Sequence, residues 1–125
     1  MKILAAGKTM VLALALAASG GAQAAPAPTV AQEVNHLLGY IAKSGCDFYR
    51  NGSWADATLA EAHVRTKFDY LARHEEIASV TDFIEKAASK SSITGLPYQV
   101  KCPGTSPVLT RAWLSEELAR YQARR

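Results

Sequence analysis

Two cysteines, Cys46 and Cys102, constrain the fold more than any other feature of this sequence, because the chain of 125 residues contains no others. In an exported protein, a bond between them is the single internal disulfide that the chain can form. Closing a loop of this length would stabilise the fold by roughly 4 kcal/mol in the chain-entropy model. The sequence therefore predicts a structural disulfide, with two buried thiols or one reactive thiol as the alternatives.

The first 24 residues have the pattern of an export signal. Lys2 precedes an apolar run over residues 10–18, and the small residues at 22–24 (AQA) form a cleavage pattern. We expect the mature chain to begin at Ala25, in the periplasm or outside the cell, with no stable membrane insertion after cleavage. An uncleaved anchor is the alternative, although the apolar run is far shorter than the ~20 residues of a spanning helix.

The charge of the mature chain is close to neutral. Without Lys2 and Lys8, which belong to the signal, the 14 lysines and arginines fall to 12 against 11 acids, for a net charge of about +1. This balance gives little support to nucleic acid or an anionic membrane surface as a partner. The remaining length of about 101 residues suits one small domain, residues 25–125.

Hydrophobic periodicity predicts four helices. The first is expected to run from Thr29 to Gly45, the second from Ser53 to Arg73 and the third from Ser79 to Lys90. The fourth is expected to start between Pro107 and Thr110 and to have a frayed end at Arg125. In the first three, a serine or threonine is followed three residues later by Gln32, Asp56 or Asp82, as in a capping box. Each helix has an apolar stripe on one face. The stripes are Val30, Val34, Leu37, Leu38 and Ile41 in the first helix and Ala57, Ala60, Val64, Phe68 and Leu71 in the second. They are Val80, Phe83, Ile84, Ala87 and Ala88 in the third helix and Leu114, Leu118 and Tyr121 in the fourth.

Two stretches between the helices are predicted to be extended. Residues 98–102 alternate apolar and polar side chains up to one cysteine, and residues 46–50 run from the other cysteine to an Asn-Gly turn. If the disulfide holds them together, antiparallel pairing places Phe48 opposite Val100 and Arg50 opposite Tyr98. The sequence thus predicts a mainly α fold: a small four-helix domain with a short two-stranded antiparallel β-ribbon and one disulfide.

The histidines do not form a metal-binding pattern. The segment at 74–78 (HEEIA) begins like HExxH, but Ala78 occupies the position of the second histidine. His63 and His74 lie ~16 Å apart along the second helix, too far to share a metal ion. We therefore expect no metal or cofactor, and a solvent-facing flank formed by His63, Lys67, Tyr70 and His74.

The hydroxyl groups do not form a catalytic pattern either. Residues 89–92 contain a serine-lysine pair, but they lie at the C-terminal end of the third helix, where the helix dipole disfavours an oxyanion. A nucleophile would also need an adjacent base held by a third group. We therefore assign no catalytic residue.

The polar turn after the third helix is the best candidate for a binding surface. Its hydroxyls and the Lys90 ammonium would lie near Arg50 and Tyr98 of the ribbon. Such a mixture of hydroxyls, cations and an aromatic side chain suits recognition more than catalysis. The candidate binding residues are Arg50, Lys90, Ser91, Ser92, Thr94 and Tyr98. A purely structural role, as the exit of a helix, is the alternative.

The central part of the chain resembles a known family. Residues 82–92 (DFIEKAASKSS), with 94–95, 97–98 and 100–101, are similar to DUF5329, a family of short exported bacterial proteins without an assigned function. The resemblance implies an envelope location and a small single domain. It supplies no catalytic residue, ligand or partner.

These observations lead to two classes of function. The first hypothesis is a periplasmic, non-enzymatic binding or interaction module whose partner is an envelope protein or a small ligand. The alternative is a small envelope hydrolase or an inhibitor of one. Converging carboxylates in a cleft would favour the hydrolase, whereas a protruding loop or a flat apolar patch would favour the inhibitor.

Overall fold

The structure, a computed structural model, describes residues 26–125, which form four α-helices, one π-helical segment and four β-strands. In chain order these are α1 (Pro28–Lys43), β1 (Asp47–Arg50), β2 (Ser53–Ala55), α2 (Ala57–Arg73), α3 (Val80–Asp82), the π-helical segment (Phe83–Ala87), β3 (Gln99–Lys101), β4 (Val108–Leu109) and α4 (Thr110–Ala123). The predicted export signal, residues 1–24, lies outside the described residues. Between residues 26 and 125, no helix combines the length and the hydropathy that a membrane crossing requires.

The strands form one four-stranded antiparallel sheet in the order β2-β1-β3-β4, so the predicted two-stranded ribbon is wrong. The ribbon corresponds to β1 and β3, and the structure adds a short strand on each side. β2 arises because Asn51 and Gly52 both adopt positive φ angles, 51° and 89°, as in the tight hairpin turns that return a chain along its own strand. Ser53 therefore pairs with Arg50 in the sheet and does not cap the second helix.

The predicted register of β1 and β3 is confirmed at its centre, where Phe48 lies opposite Val100. The pairing ends one step later, at Tyr49 and Gln99, so the expected pair of Arg50 and Tyr98 does not form. The backbone of Tyr98 is engaged elsewhere, because its N–H donates to the Ser89 carbonyl over 2.8 Å.

The predicted disulfide between Cys46 and Cys102 is confirmed, and the two Cα atoms lie 4.2 Å apart. It joins the residue before β1 to the residue after β3, at one end of the central strand pair. The predicted apolar stripes face one continuous core. Its most deeply buried members include Val34, Leu37, Leu38, Phe83, Val100 and Leu114.

The third helix begins as predicted but takes a different form. The Ser79 hydroxyl accepts the backbone N–H of Asp82, and the Asp82 carboxylate accepts that of Ala78. After one α-helical turn, however, the chain widens into the π-helical segment, where Phe83, Ile84 and Ala87 are buried. The Ser89 hydroxyl donates to the Ile84 carbonyl five residues earlier and so satisfies one of the acceptors at the end of this segment.

Two other predicted caps are wrong. Helix α1 begins with Ala27 as its N-cap and Pro28 in the first turn, without a side-chain cap, because proline already has a helical φ and no N–H to satisfy. Helix α2 is capped by Asp56, whose carboxylate accepts the Leu59 N–H. The predicted end of α2 at Arg73 is confirmed.

Helices α1 and α4 bury two carboxylates between them. Glu33 accepts hydrogen bonds from Gln122 and Arg125, and Glu117 accepts from Arg120 and lies 2.6 Å from His36 Nε2. Arg120 thus pairs with Glu117, three residues earlier on α4. Each buried carboxylate is held by at least two partners on this face of the molecule.

Candidate functional site

A cavity of about 300 Å³ lies between α2 and one face of the sheet. Its lining residues are Ile41, Phe48, Tyr49, Arg50, Ala55, Leu59, Ala60, His63, Val64, Tyr98 and Thr110. Most of this wall is apolar, with a few polar side chains, which is the usual make-up of a small-molecule site. We call it the α2–sheet cavity.

Local structure explains how these side chains come together. Alternation along β1 places Phe48 and Arg50 on one face of the sheet, and the pairing of β1 with β2 sets Ala55 beside Phe48. On the facing helix, Ala60 and Val64 are four residues apart and therefore lie on one side of α2. The cavity is thus built on regular secondary structure, with the exposed side chains of Arg50 and Leu59 at its mouth.

Three polar side chains form a hydrogen-bonded chain at the wall. Lys67 Nζ lies 3.1 Å from the Tyr98 hydroxyl, which in turn lies 3.2 Å from His63 Nε2. The groups are all satisfied if the ammonium donates to the hydroxyl and the hydroxyl donates to the neutral imidazole. Lys67 also donates to the Lys90 carbonyl over 2.9 Å, which ties α2 to the turn that follows the π-helical segment.

Burial and positive charge shift the pKa values of this chain of groups. Burial, helped by the charges of Arg50 and Lys67, lowers the pKa of His63. Burial and the charge of Arg50 also lower the pKa of Lys67. For Tyr98, burial raises the pKa although Arg50 opposes it. His63 is therefore mainly neutral and Tyr98 a protonated phenol at pH 7.

The electrostatic balance of the cavity is one-sided. Arg50 lines it, Lys67 lies beside it, and none of its described lining residues carries a carboxylate. Within residues 26–125, Arg50 also forms no ion pair. The cavity thus offers uncompensated positive charge at one edge of an apolar wall, an arrangement that favours an anionic group on a bound molecule.

Thr110, the first residue of α4, is an unusual member of the wall. Its side chain is 2% exposed, and its hydroxyl has no hydrogen-bond partner among residues 26–125. A buried polar group without a partner costs free energy, roughly 1–3 kcal/mol, and such groups are rare in folded proteins. The oxygen itself is buried, so a molecule in the cavity could reach it only if the wall moved.

The structure divides the six predicted binding residues into separate groups. Arg50 and Tyr98 line the α2–sheet cavity, whereas Lys90 lines a different one with Glu85 and Arg111. Ser91 and Thr94 bond to the amide of Asn51 over 3.1 and 2.8 Å, and so fasten their loop to the hairpin. Ser92 is exposed. A role in binding stays a prediction for all six.

Sequence reasoning missed three residues of this site: His63, Lys67 and Thr110. The predicted solvent-facing flank of α2 is wrong for His63 and Lys67, which are half-buried against Tyr98, while Tyr70 is exposed as expected. A buried tyrosine needs a partner for its hydroxyl, but that signal points to no particular residue. Nothing in the sequence around Thr110 marks it as more than a helix start.

The polar groups of the site are suited to recognition. The lining residues supply hydrogen-bond donors and positive charge, while the raised pKa of Tyr98 keeps its hydroxyl a weak nucleophile. Between residues 26 and 125, no three His, Cys, Asp or Glu side chains come together as a metal site would require.

Comparison with known proteins adds a family but no activity. A family model matches residues 28–122, and its description is a family of unknown function (DUF5329). A search of curated proteins and a search of solved structures found no match. The arrangement of the cavity is therefore the main guide to function.

Proposed function

This chain belongs to the DUF5329 family, and we propose that it is a non-enzymatic binding module of the bacterial cell envelope that holds a small ligand in the α2–sheet cavity. The observation that carries the proposal is a mostly apolar cavity of about 300 Å³, with a few polar side chains in its wall, built on regular secondary structure. A bound molecule would cover the apolar wall.

The size of the cavity limits the ligand. At ~30 Å³ per water molecule in the liquid, a volume of about 300 Å³ has room for a body of about ten non-hydrogen atoms. This is the low end of the range for small-molecule sites. We therefore expect a compact metabolite or the end of a larger molecule, with the rest outside the mouth at Leu59, which is 63% exposed.

The envelope location has its own support and its own test. The disulfide is of a kind that forms and persists in oxidising compartments, and the sequence at residues 1–24 has the export pattern described above. We expect the full chain, expressed in a bacterium and fractionated, to be recovered from the periplasm with the mass of residues 25–125. Recovery of the unprocessed chain from the cytoplasm would contradict this location.

A pair of matched variants on α2 tests binding in the cavity. Ala60 lines the cavity, and Ala62 is exposed on the same helix. Ala60→Leu should fill the cavity, whereas Ala62→Leu adds the same atoms to the surface. Nuclear magnetic resonance spectra of the 15N-labelled protein, recorded against a library of small molecules of mixed charge, should show compounds that shift the backbone amides of residues 60, 64 and 110.

These shifts should persist in Ala62→Leu and disappear in Ala60→Leu. The proposal would be abandoned if no compound of any charge shifted those amides in the wild type, or if the shifts survived in Ala60→Leu. Because Ala60→Leu adds volume near the core, its spectrum without compounds must first match that of a folded protein.

A second candidate function, an inhibitor or adaptor that binds another envelope protein, is supported by one surface feature. Ile93 is 90% exposed and Leu96 is 49% exposed, in a loop fastened by the Ser91 and Thr94 contacts to Asn51. A rigid loop with an exposed apolar tip suits insertion into a partner. If this loop binds a protein, Ile93→Asp should abolish cross-linking to it, while Ser92→Asp, which adds the same charge beside it, should not.

A further inference from the structure

The charge at the mouth of the α2–sheet cavity narrows the class of ligand. Arg50 has an exposed guanidinium at the edge of the cavity and no ion-pair partner among residues 26–125. The backbone of Arg50 is fixed by the sheet, because Arg50 ends β1 and pairs with Ser53 across the hairpin. A guanidinium on a rigid strand is well suited to a bidentate contact with a carboxylate or a phosphate.

The neighbours of Arg50 strengthen this preference. His63 and Tyr98 lie on the same wall, and the Lys67 ammonium is 3.1 Å from the Tyr98 hydroxyl. The Tyr98 hydroxyl already donates to His63, but Lys67 adds positive charge beside the cavity, and none of the described lining residues supplies a compensating acid. A cationic ligand would meet repulsion here, and a neutral one would gain nothing from the charge of Arg50.

The inner wall has the opposite character. Ile41, Phe48 and Val64 line it with apolar atoms. An aliphatic or aromatic body would therefore be favoured inside the cavity, while its charged end stays at the mouth.

We propose that the ligand is an amphiphile with an oxyanion head group bound by Arg50 and an apolar body of about ten non-hydrogen atoms inside the cavity. This inference rests on the proposed function of the cavity. The head group is a carboxylate, as in a medium-chain fatty acid or an aromatic acid, or a phosphate monoester of similar size. Both share the chemistry that the guanidinium recognises.

Four probes with the same eight-carbon apolar body test the inference: nonanoate, octyl phosphate, octan-1-ol and octylammonium. Binding is measured at pH 7.5 by titration of the 15N-labelled protein, from the shifts of the amides of residues 60, 64 and 110. Nonanoate or octyl phosphate should bind, octan-1-ol roughly tenfold more weakly, and octylammonium not detectably, because one charged hydrogen bond is lost or replaced by repulsion. The tighter of the two anions identifies the head group.

Two arginine variants provide the control. Arg50→Gln should weaken binding of the anionic probe by roughly tenfold and leave octan-1-ol unchanged. Arg73→Gln removes the same charge from an exposed position at the end of α2 and should change neither.

Two outcomes separate this inference from the proposed function. If octan-1-ol or octylammonium bound at least as tightly as both anions, and Arg50→Gln had no effect, the inference would be wrong while the cavity remained a binding site. If no probe shifted the cavity amides and the mixed library also gave no shifts there, both would be wrong.

Discussion

The α1–α4 interface and the α2–sheet cavity both bury polar side chains, but they satisfy them to different degrees. At the interface, the carboxylates of Glu33 and Glu117 each meet several donors and cations. In the cavity, two cations share one edge without an acid among the described lining residues, and Thr110 has no partner there. A region that completes its own hydrogen bonds needs nothing further, whereas the cavity leaves room for the ligand proposed above.

Electrostatics express the same difference. Burial alone would raise the pKa of Glu117, but the hydrogen bonds and charges of His36 and Arg120 outweigh it, so the pKa is lowered and the carboxylate stays ionised. In the cavity, burial is the largest influence on His63 and Lys67, and it lowers both pKa values with the help of positive neighbours. The interface therefore stabilises the charged form of Glu117, whereas the cavity disfavours the charged forms of His63 and Lys67.

The largest expected effect comes from the disulfide, which supports both regions at once. Replacing Cys46 and Cys102 together by serine should lower the free energy of unfolding by roughly 4 kcal/mol, because the loop is no longer closed in the unfolded chain. Chemical denaturation followed by circular dichroism measures this loss. We expect the interface and the cavity to unfold in one transition, and two separate transitions would show that they do not share a core.

A smaller loss should follow a change at the interface. Glu117→Gln keeps the shape of the side chain but removes the charge that Arg120 and His36 contact, and should lower stability by roughly 2 kcal/mol. The adjacent Glu116→Gln, at an exposed position, should stay within about 0.5 kcal/mol of the wild type. Equal effects of the two variants, measured by thermal and chemical unfolding, would show that the interface does not depend on this carboxylate.

The opposite sign is expected in the cavity. Thr110→Val removes a buried hydroxyl without a partner among the described residues and should leave stability unchanged or raise it by about 1 kcal/mol. Thr58→Val, at an exposed position of α2, is the control and should have no measurable effect. A clear loss of stability in Thr110→Val would mean that the hydroxyl is already satisfied.

The smallest effect concerns pH. The pKa of His63 is lower in the folded protein than the 6.5 of the unfolded chain, so the unfolded chain binds a proton first as the pH falls. His63 therefore contributes stability that is present above pH 6.5 and lost as the pH falls through its folded pKa. The free energy of unfolding, measured between pH 8 and 5, should lose this pH dependence in His63→Gln. An unchanged pH dependence in the variant would contradict the lowered pKa of His63.

The sequence predicted the parts of the fold that depend on local patterns or on covalent constraint. Two cysteines were enough to bring β1 and β3 together, and the apolar stripes identified the faces that α1 and α2 bury. The strands β2 and β4, of three and two residues, are too short to show an alternating pattern. The π-helical segment could not be predicted because its apolar residues also fit the spacing of an α-helix.

The candidate site was predictable to a smaller extent. Arg50 and Tyr98 were chosen because the ribbon was expected to bring them close, and both line the cavity. Ser91 and Thr94 were chosen for their hydroxyls, but the structure uses these to fix a loop. His63 and Lys67 lie on a flank of α2 that periodicity assigns to solvent, and the position of Tyr98, far away in the sequence, decides otherwise.

The most direct test of ligand binding is native mass spectrometry of residues 25–125 after incubation with a small-molecule extract of the bacterial envelope. We predict an added mass on the wild type and on Ala62→Leu that dissociates on unfolding, and a bare polypeptide for Ala60→Leu. A bare polypeptide for the wild type, or the same added mass on Ala60→Leu, would contradict the claim that the α2–sheet cavity is the binding site.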